Sequence, residues 1–294
     1  MPRTTRSCCR TCTRHGRVHA VFCRRRAPLD PDKYFFIIPA QFGDGFSSSP
    51  SNTAPPFDRG AFPPVAISVD VWAQHQLVTE HFGISQLALV SGWSMGGQQT
   101  LEWAVRYPDA VQRAVSFAAT TRNPDHCTIF CDLHTEALRS DPAFNGGFYE
   151  RSADVQLGLR RHAQAFALMG PTSAMYRAEV WRELGFTSRD GFVQGFLQAY
   201  FLPMDPNNLL CQAAKWRSAD VSGSTGGDMD AALGRSPPPP PWSPLPATCS
   251  SRPKTSRPPN RRHRQDLRRR PPVGGGRPQA PPAPYPQGPG TVSA

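Results

Sequence analysis

The chain predicts an α/β fold: an incomplete parallel sheet under a helical cap, with disordered ends. Three observations lead there. Short apolar runs alternate with helix-period segments between residues 34 and 119. Residues 127–216 keep helical spacing throughout and carry no strand-like run. Arginine crowds residues 1–26, and proline and arginine crowd residues 236–294, where few apolar residues remain to pack.

The elements follow in order. Tyr34-Phe35-Phe36-Ile37-Ile38 reads as a buried strand stopped by Pro39. A Gly/Ser/Pro loop runs from Phe42 to Pro64. Ser68 is a candidate N-cap with Asp70 in the first turn, and Gly83 suits the C-terminal end. That helix is expected to bury Val69, Trp72, Ala73, Leu77 and Val78. A second strand covers 86–90, a helix runs from Met95 to Tyr107 before Pro108, and a third strand covers 113–119. Strand–helix–strand–helix–strand implies parallel pairing with right-handed crossovers.

Composition divides the chain into three zones. Residues 1–26 hold eight arginines and no acid, and are expected to be a disordered basic arm. Residues 27–235 form a partial domain with 15 basic and 21 acidic residues, its cap at about 127–216. Residues 236–294 hold 18 of the chain's 33 prolines and are expected to be a disordered tail. The net charge of +11 therefore belongs to the ends. No aromatic interleaving accompanies it, so specific nucleic-acid binding is not expected. No apolar run reaches the roughly 18 residues of a membrane span. Eight cysteines at this length do not make a disulfide scaffold, and no signal core precedes a cleavage site. A cytoplasmic setting is expected, with organelle targeting left open by the acid-free arm.

Gly92-Trp93-Ser94-Met95-Gly96 carries the chemistry. A G-x-S-x-G run between a buried strand and a helix is a nucleophile elbow. The sharp turn exposes the Ser94 hydroxyl, and small neighbours let backbone approach closely. The backbone N–H of Met95, at the helix start, can donate to an oxyanion. Trp93 is a candidate pocket residue. Arg177, in the cap, could meet a substrate carboxylate bidentately or stay solvated.

Around this motif the chain resembles the homoserine O-acetyltransferase family of the α/β-hydrolase fold. The carrying segments are Leu29 to Phe35, Phe42 to Pro50, Ala73-Gln74, Leu87 to Gly97 with Glu102-Trp103-Ala104, Asn145 to Tyr149, and Asp205 to Leu209. The resemblance covers residues 27–235. It implies that Ser94 takes an acetyl group from acetyl-CoA, a co-substrate rather than a bound cofactor, and passes it to a small hydroxyl acceptor. A serine ester hydrolase of the same fold, or a non-catalytic remnant, is the alternative. It also implies a homodimer as one arrangement. The family's acid and base follow in the order Ser, Asp, His, whereas here His263 precedes Asp266 in the proline tail. An impaired enzyme is expected on that ground.

Weaker clusters have bland readings. Cys8, Cys9, Cys12, His15, His19 and Cys23 are spaced too tightly for a standard zinc finger. Cys127, Cys131 and His134 share a helical face that could hold a metal, or simply be buried. No metal is expected. His75, His81, His126 and His162 are read as surface or core histidines rather than partners of Ser94.

Overall fold

The computed structural model describes residues 6–11, 29–30 and 32–236. These belong to one compact unit, Met1–Cys249. Four strands form one parallel sheet: β1 (Arg6–Thr11), β2 (Tyr34–Ile37), β3 (Leu89–Trp93) and β4 (Ala114–Phe117). Their order is β2-β1-β3-β4. Cys9 sits between Ile37 and Val90, and Trp93 stands opposite Phe117.

Two expectations need correction. The arm was expected to be disordered, yet Arg6–Thr11 is a central strand. Its arginines hide it from hydropathy, but a central strand is held by backbone ladders on both sides. The rest of the arm, the Cys8 to Cys23 side chains and the tail from 237 onward lie outside the described residues. The second strand runs from Leu89 to Trp93 rather than over 86–90, and therefore leads directly into Ser94. Leu87 makes only an isolated bridge to Val111.

Helix α1 (Ile67–Gln76) continues through a π turn, Leu77–His81, to Gly83 with φ of 64°. Ala66, not Ser68, is its N-cap. Val78 is buried and Leu77 packs against the main core as expected, but the buried face differs in the first two turns. Val69 and Trp72 are 41% and 53% exposed, while Ile67, Asp70, Val71 and Gln74 are buried. Asp70 and Gln74 look polar to any apolar-spacing rule, but each finds a buried hydrogen-bonding partner.

Helix α2 (Met95–Arg106) follows β3 and packs Met95 and Trp103 into the main core with Ile37, Val71, Leu87 and Val90. The cap helices are α3 (Asp125–Arg139), α4 (Gln156–Met169) and α5 (Ser173–Arg177). Then α6 (Arg189–Phe192) passes through a π segment into α7 (Ala199–Phe201). Helix α8 (Pro206–Arg217) returns to the sheet, where Trp216 packs on the main core. Helix α9 (Met229–Arg235) buries Ala232 with Val105 and Val221 behind α2. A separate cap core joins Ala167, Trp181, Phe192, Val193 and Leu197. Among the described residues no helix is long and apolar enough to cross a membrane.

Candidate active site

Ser94 occupies the turn between β3 and α2 with φ of 56° and ψ of −124°. A non-glycine residue there is strained by an order of 1–3 kcal/mol and persists only if its surroundings fix it. They do so from both sides. The Ser94 N–H donates to Phe117 O at 2.9 Å, and its carbonyl accepts from the Gln98 N–H at 3.1 Å. Close approach is visible at Gly97, where a Cβ would stand 2.7 Å from Ala119 Cβ and 2.9 Å from Phe117 O. Met95 is the first residue of α2, and first-turn N–H groups have no acceptor within their helix.

Ser94 opens on a cavity of about 340 Å³. Trp93, Ser94 and Met95 form one wall, and Gly43 and Asp44 a second. His134 and His162 come from α3 and α4, and Tyr200, Met204 and α8 close the cap side. Trp93 stays 63% exposed and stacks on Phe117 with ring centroids 6.3 Å apart. Arg177 is not part of this cavity: it is exposed at the end of α5. Its neighbours Met175 and Tyr176 turn into the cap core, which leaves the guanidinium in water.

The histidines fall at the surface or in the core as read from the sequence, with one addition at His162. His75 stacks on Tyr107 at 3.8 Å, His81 lies against Phe82, and His126 is exposed. His162 does line the cavity, paired with His134 through Nδ1 atoms 3.0 Å apart. One imidazole donates and the other accepts, and burial disfavours a charge on either ring. Burial pulls His134 down to about 3 and His162 to about 4. Spacing on α3 alone pointed His134 toward Cys131; the partner comes from α4, which no local pattern reveals. Burial pushes the Cys131 thiol up to about 12. Among the described residues no group of three or more His, Cys, Asp or Glu side chains gathers to hold a metal.

The Asp205 to Leu209 segment starts α8. The Asp205 carboxylate accepts from Asn208 N–H at 3.0 Å, Tyr149 Oη at 2.8 Å and Ser152 Oγ at 2.7 Å. This fixes the helix whose Asn208, Gln212 and Trp216 face the cavity.

Comparison with known proteins fits this geometry. The family model for the alpha/beta hydrolase fold matches residues 16–207. An ethyl acetate hydrolase of Pseudomonas veronii is 52% identical over 207 residues, covering 70% of this chain and 59% of that protein. A protein named as a probable esterase of Corynebacterium glutamicum is 47% identical over 208 residues, 70% of this chain and 60% of its own length. The chain thus spans about three-fifths of these curated relatives. The structure of the acetyl esterase MekB superposes with a TM-score of 0.76 at 46% identity, covering 79% of this chain and 68% of that one. The homoserine O-acetyltransferase of Solidesulfovibrio magneticus is 41% identical over only 137 residues, 45% of this chain and 34% of that protein. The expected homoserine-type acyltransferase is therefore corrected: the longer, stronger likenesses are to acetyl ester hydrolases. The elbow could not decide this, because both reactions begin with the same serine attack. The chain belongs to the α/β-hydrolase fold family.

Proposed function

We propose that this α/β-hydrolase-fold chain carries the site of a serine ester hydrolase for small acyl esters, acetyl esters first. The observation that carries it is Ser94, held at a strained strand–helix turn and opening on a cavity of about 340 Å³. That volume lies at the small end of ligand sites. Ser94 Oγ attacks the ester carbonyl, and the Met95 N–H donates to the oxyanion that forms. Collapse expels the alcohol, which takes up a proton, and leaves an acyl-serine. Water then attacks that acyl group and releases the acid and free Ser94. Trp93 and Met95 border the space the ester fills.

Proton removal from Ser94 sets the rate, since general-base help is worth roughly 10²–10⁴-fold. His134 and His162 share the cavity, but their lowered basicity makes them weak acceptors. Slow acylation is the expected behaviour of this chain. The test is acetate release from ethyl acetate and p-nitrophenyl acetate, beside CoA release from acetyl-CoA with homoserine. Ester cleavage that disappears in Ser94→Ala supports the reading. Homoserine-dependent CoA release without ester cleavage would overturn it.

A further inference from the structure

We propose that the buried Lys215–Asp70 ion pair is a positioning device that sets the Gly43–Asp44 wall of the Ser94 cavity and so its selectivity for acyl length. The selectivity part rests on the ester reading above. The two charged groups meet at 2.8 Å with side chains 0% and 1% exposed. An ion pair so buried is poor evidence for stability, because desolvation offsets the attraction. Its partners point to another use.

Both backbone polar groups of one residue, Phe42, end on this pair. The Phe42 N–H donates to Asp70 Oδ1 at 2.9 Å, and Phe42 O accepts from Lys215 Nζ at 2.7 Å. Gln212 Nε2 adds a second donor to Phe42 O at 2.9 Å, and Lys215 Nζ reaches Gln41 Oε1 at 3.2 Å. The next two residues, Gly43 and Asp44, are the cavity wall. That loop is stiff within itself. Gly43 N–H donates to Ser48 O at 2.8 Å, and the Asp44 carboxylate accepts from the Gln41, Phe46 and Ser47 N–H groups. A loop this stiff moves as a body, so the clamp at Phe42, with the Asn208–Ser51 tie just past the loop's far end, sets where the wall stands.

The same carboxylate also reaches the nucleophile helix. Gln99 Nε2 of α2 donates to Asp70 Oδ2 at 3.2 Å. Gln74 bridges onward, donating to Gln99 Oε1 at 3.1 Å and accepting from Trp103 Nε1 at 2.8 Å. One ion pair therefore ties three walls together: α2 below Ser94, the 41–49 loop, and α8. Gly43 shows how closely loop and helix meet, since a Cβ there would lie 2.3 Å from Cys211 Sγ.

The experiment uses the full chain and the double variant Lys215→Met/Asp70→Asn. It removes both charges, yet the Asn oxygen can still accept from Phe42 N–H and Gln212 still serves Phe42 O. Arg122→Gln is the control. Arg122 ties Asp220, Ser222 and Gly227 together, none of which lines the Ser94 cavity. Two quantities are read: amide hydrogen exchange over residues 43–49, and the ratio of Ser94 acylation rates for p-nitrophenyl acetate and hexanoate. The double variant should lose protection in the loop and lower the acetate-to-hexanoate ratio about tenfold, because small misplacements of a wall cost large factors. Arg122→Gln should lower the melting temperature and leave both unchanged. Unchanged protection and ratio in the double variant would overturn the proposal, as would equal effects from the control. If the double variant does not fold, Asp70→Asn alone is read by the same two measures and the same outcomes. If neither ester acylates the wild type, the ester reading has failed, and loop exchange alone decides the clamp.

Discussion

The two sides of the cavity are built by different physics. On the elbow side, β3, Ser94 and α2 are fixed by close packing: Val90, Met95 and Trp103 in the core, and Gly97 against Ala119. On the opposite side, loop 41–49, α8 and the α3–α4 pair are fixed by charges and hydrogen bonds: Lys215 with Asp70, Asp205 with Tyr149, His134 with His162. Packing of apolar groups tolerates changes of pH and fails on changes of volume. A polar wall does the reverse, because its strength depends on protonation and on every partner being present.

Acid should separate the two sides most strongly. His134 and His162 titrate near 3 and 4 when folded, against 6.5 when unfolded. The unfolded chain therefore binds more protons over that interval. Stability is fully present above about pH 6.5 and falls as the pH drops toward 4, by about 1.4 kcal/mol per pH unit for each histidine. Urea unfolding at pH 7.5 and 4.5 checks this. His134→Leu/His162→Leu should flatten the difference, and an equally steep loss in that variant would assign it elsewhere.

Volume is the corresponding probe of the elbow. Gly97→Ala places a methyl group 2.9 Å from the carbonyl oxygen of Phe117, which also accepts the Ser94 N–H. Overpacking there should cost about 1–3 kcal/mol at any pH and slow Ser94 acylation with it. Thermal melts at two pH values, read beside acylation rates, measure both effects. A stable variant with wild-type acylation would mean that the strand–helix contact is looser than its geometry.

The smallest effect should come from the surface. The Arg182–Glu179 pair is about half exposed on both sides. Arg182→Ala, which also gives up the guanidinium over the Trp181 ring at 4.4 Å, should lower the melting temperature only slightly and leave acylation unchanged.

The same division explains what the sequence revealed. Elbow, flanking strand and following helix are contiguous, so Gly92 to Gly96 with its neighbours announced the candidate nucleophile and the parallel topology. The polar wall is assembled from distant residues: Lys215 meets Asp70 across 145 positions and Gln41 across 174. Apolar spacing found Val78 and Leu77 but missed the first turns of α1, choosing Val69 and Trp72 over Asp70 and Gln74. Strand β1 was hidden for a related reason, since ladders pair backbone atoms and the arginine-rich run carries no hydrophobic signature. Arg177 is a case the sequence left open between a ligand group and a solvated side chain, and the structure leaves it in solvent.

The proposed chemistry turns on Ser94 as the nucleophile of the cavity. Treating the full chain with a fluorophosphonate at neutral pH, followed by peptide mapping, should place one adduct on Ser94, formed slowly, and none in Ser94→Ala. An adduct on another serine, or equal labelling of Ser94→Ala, would contradict it.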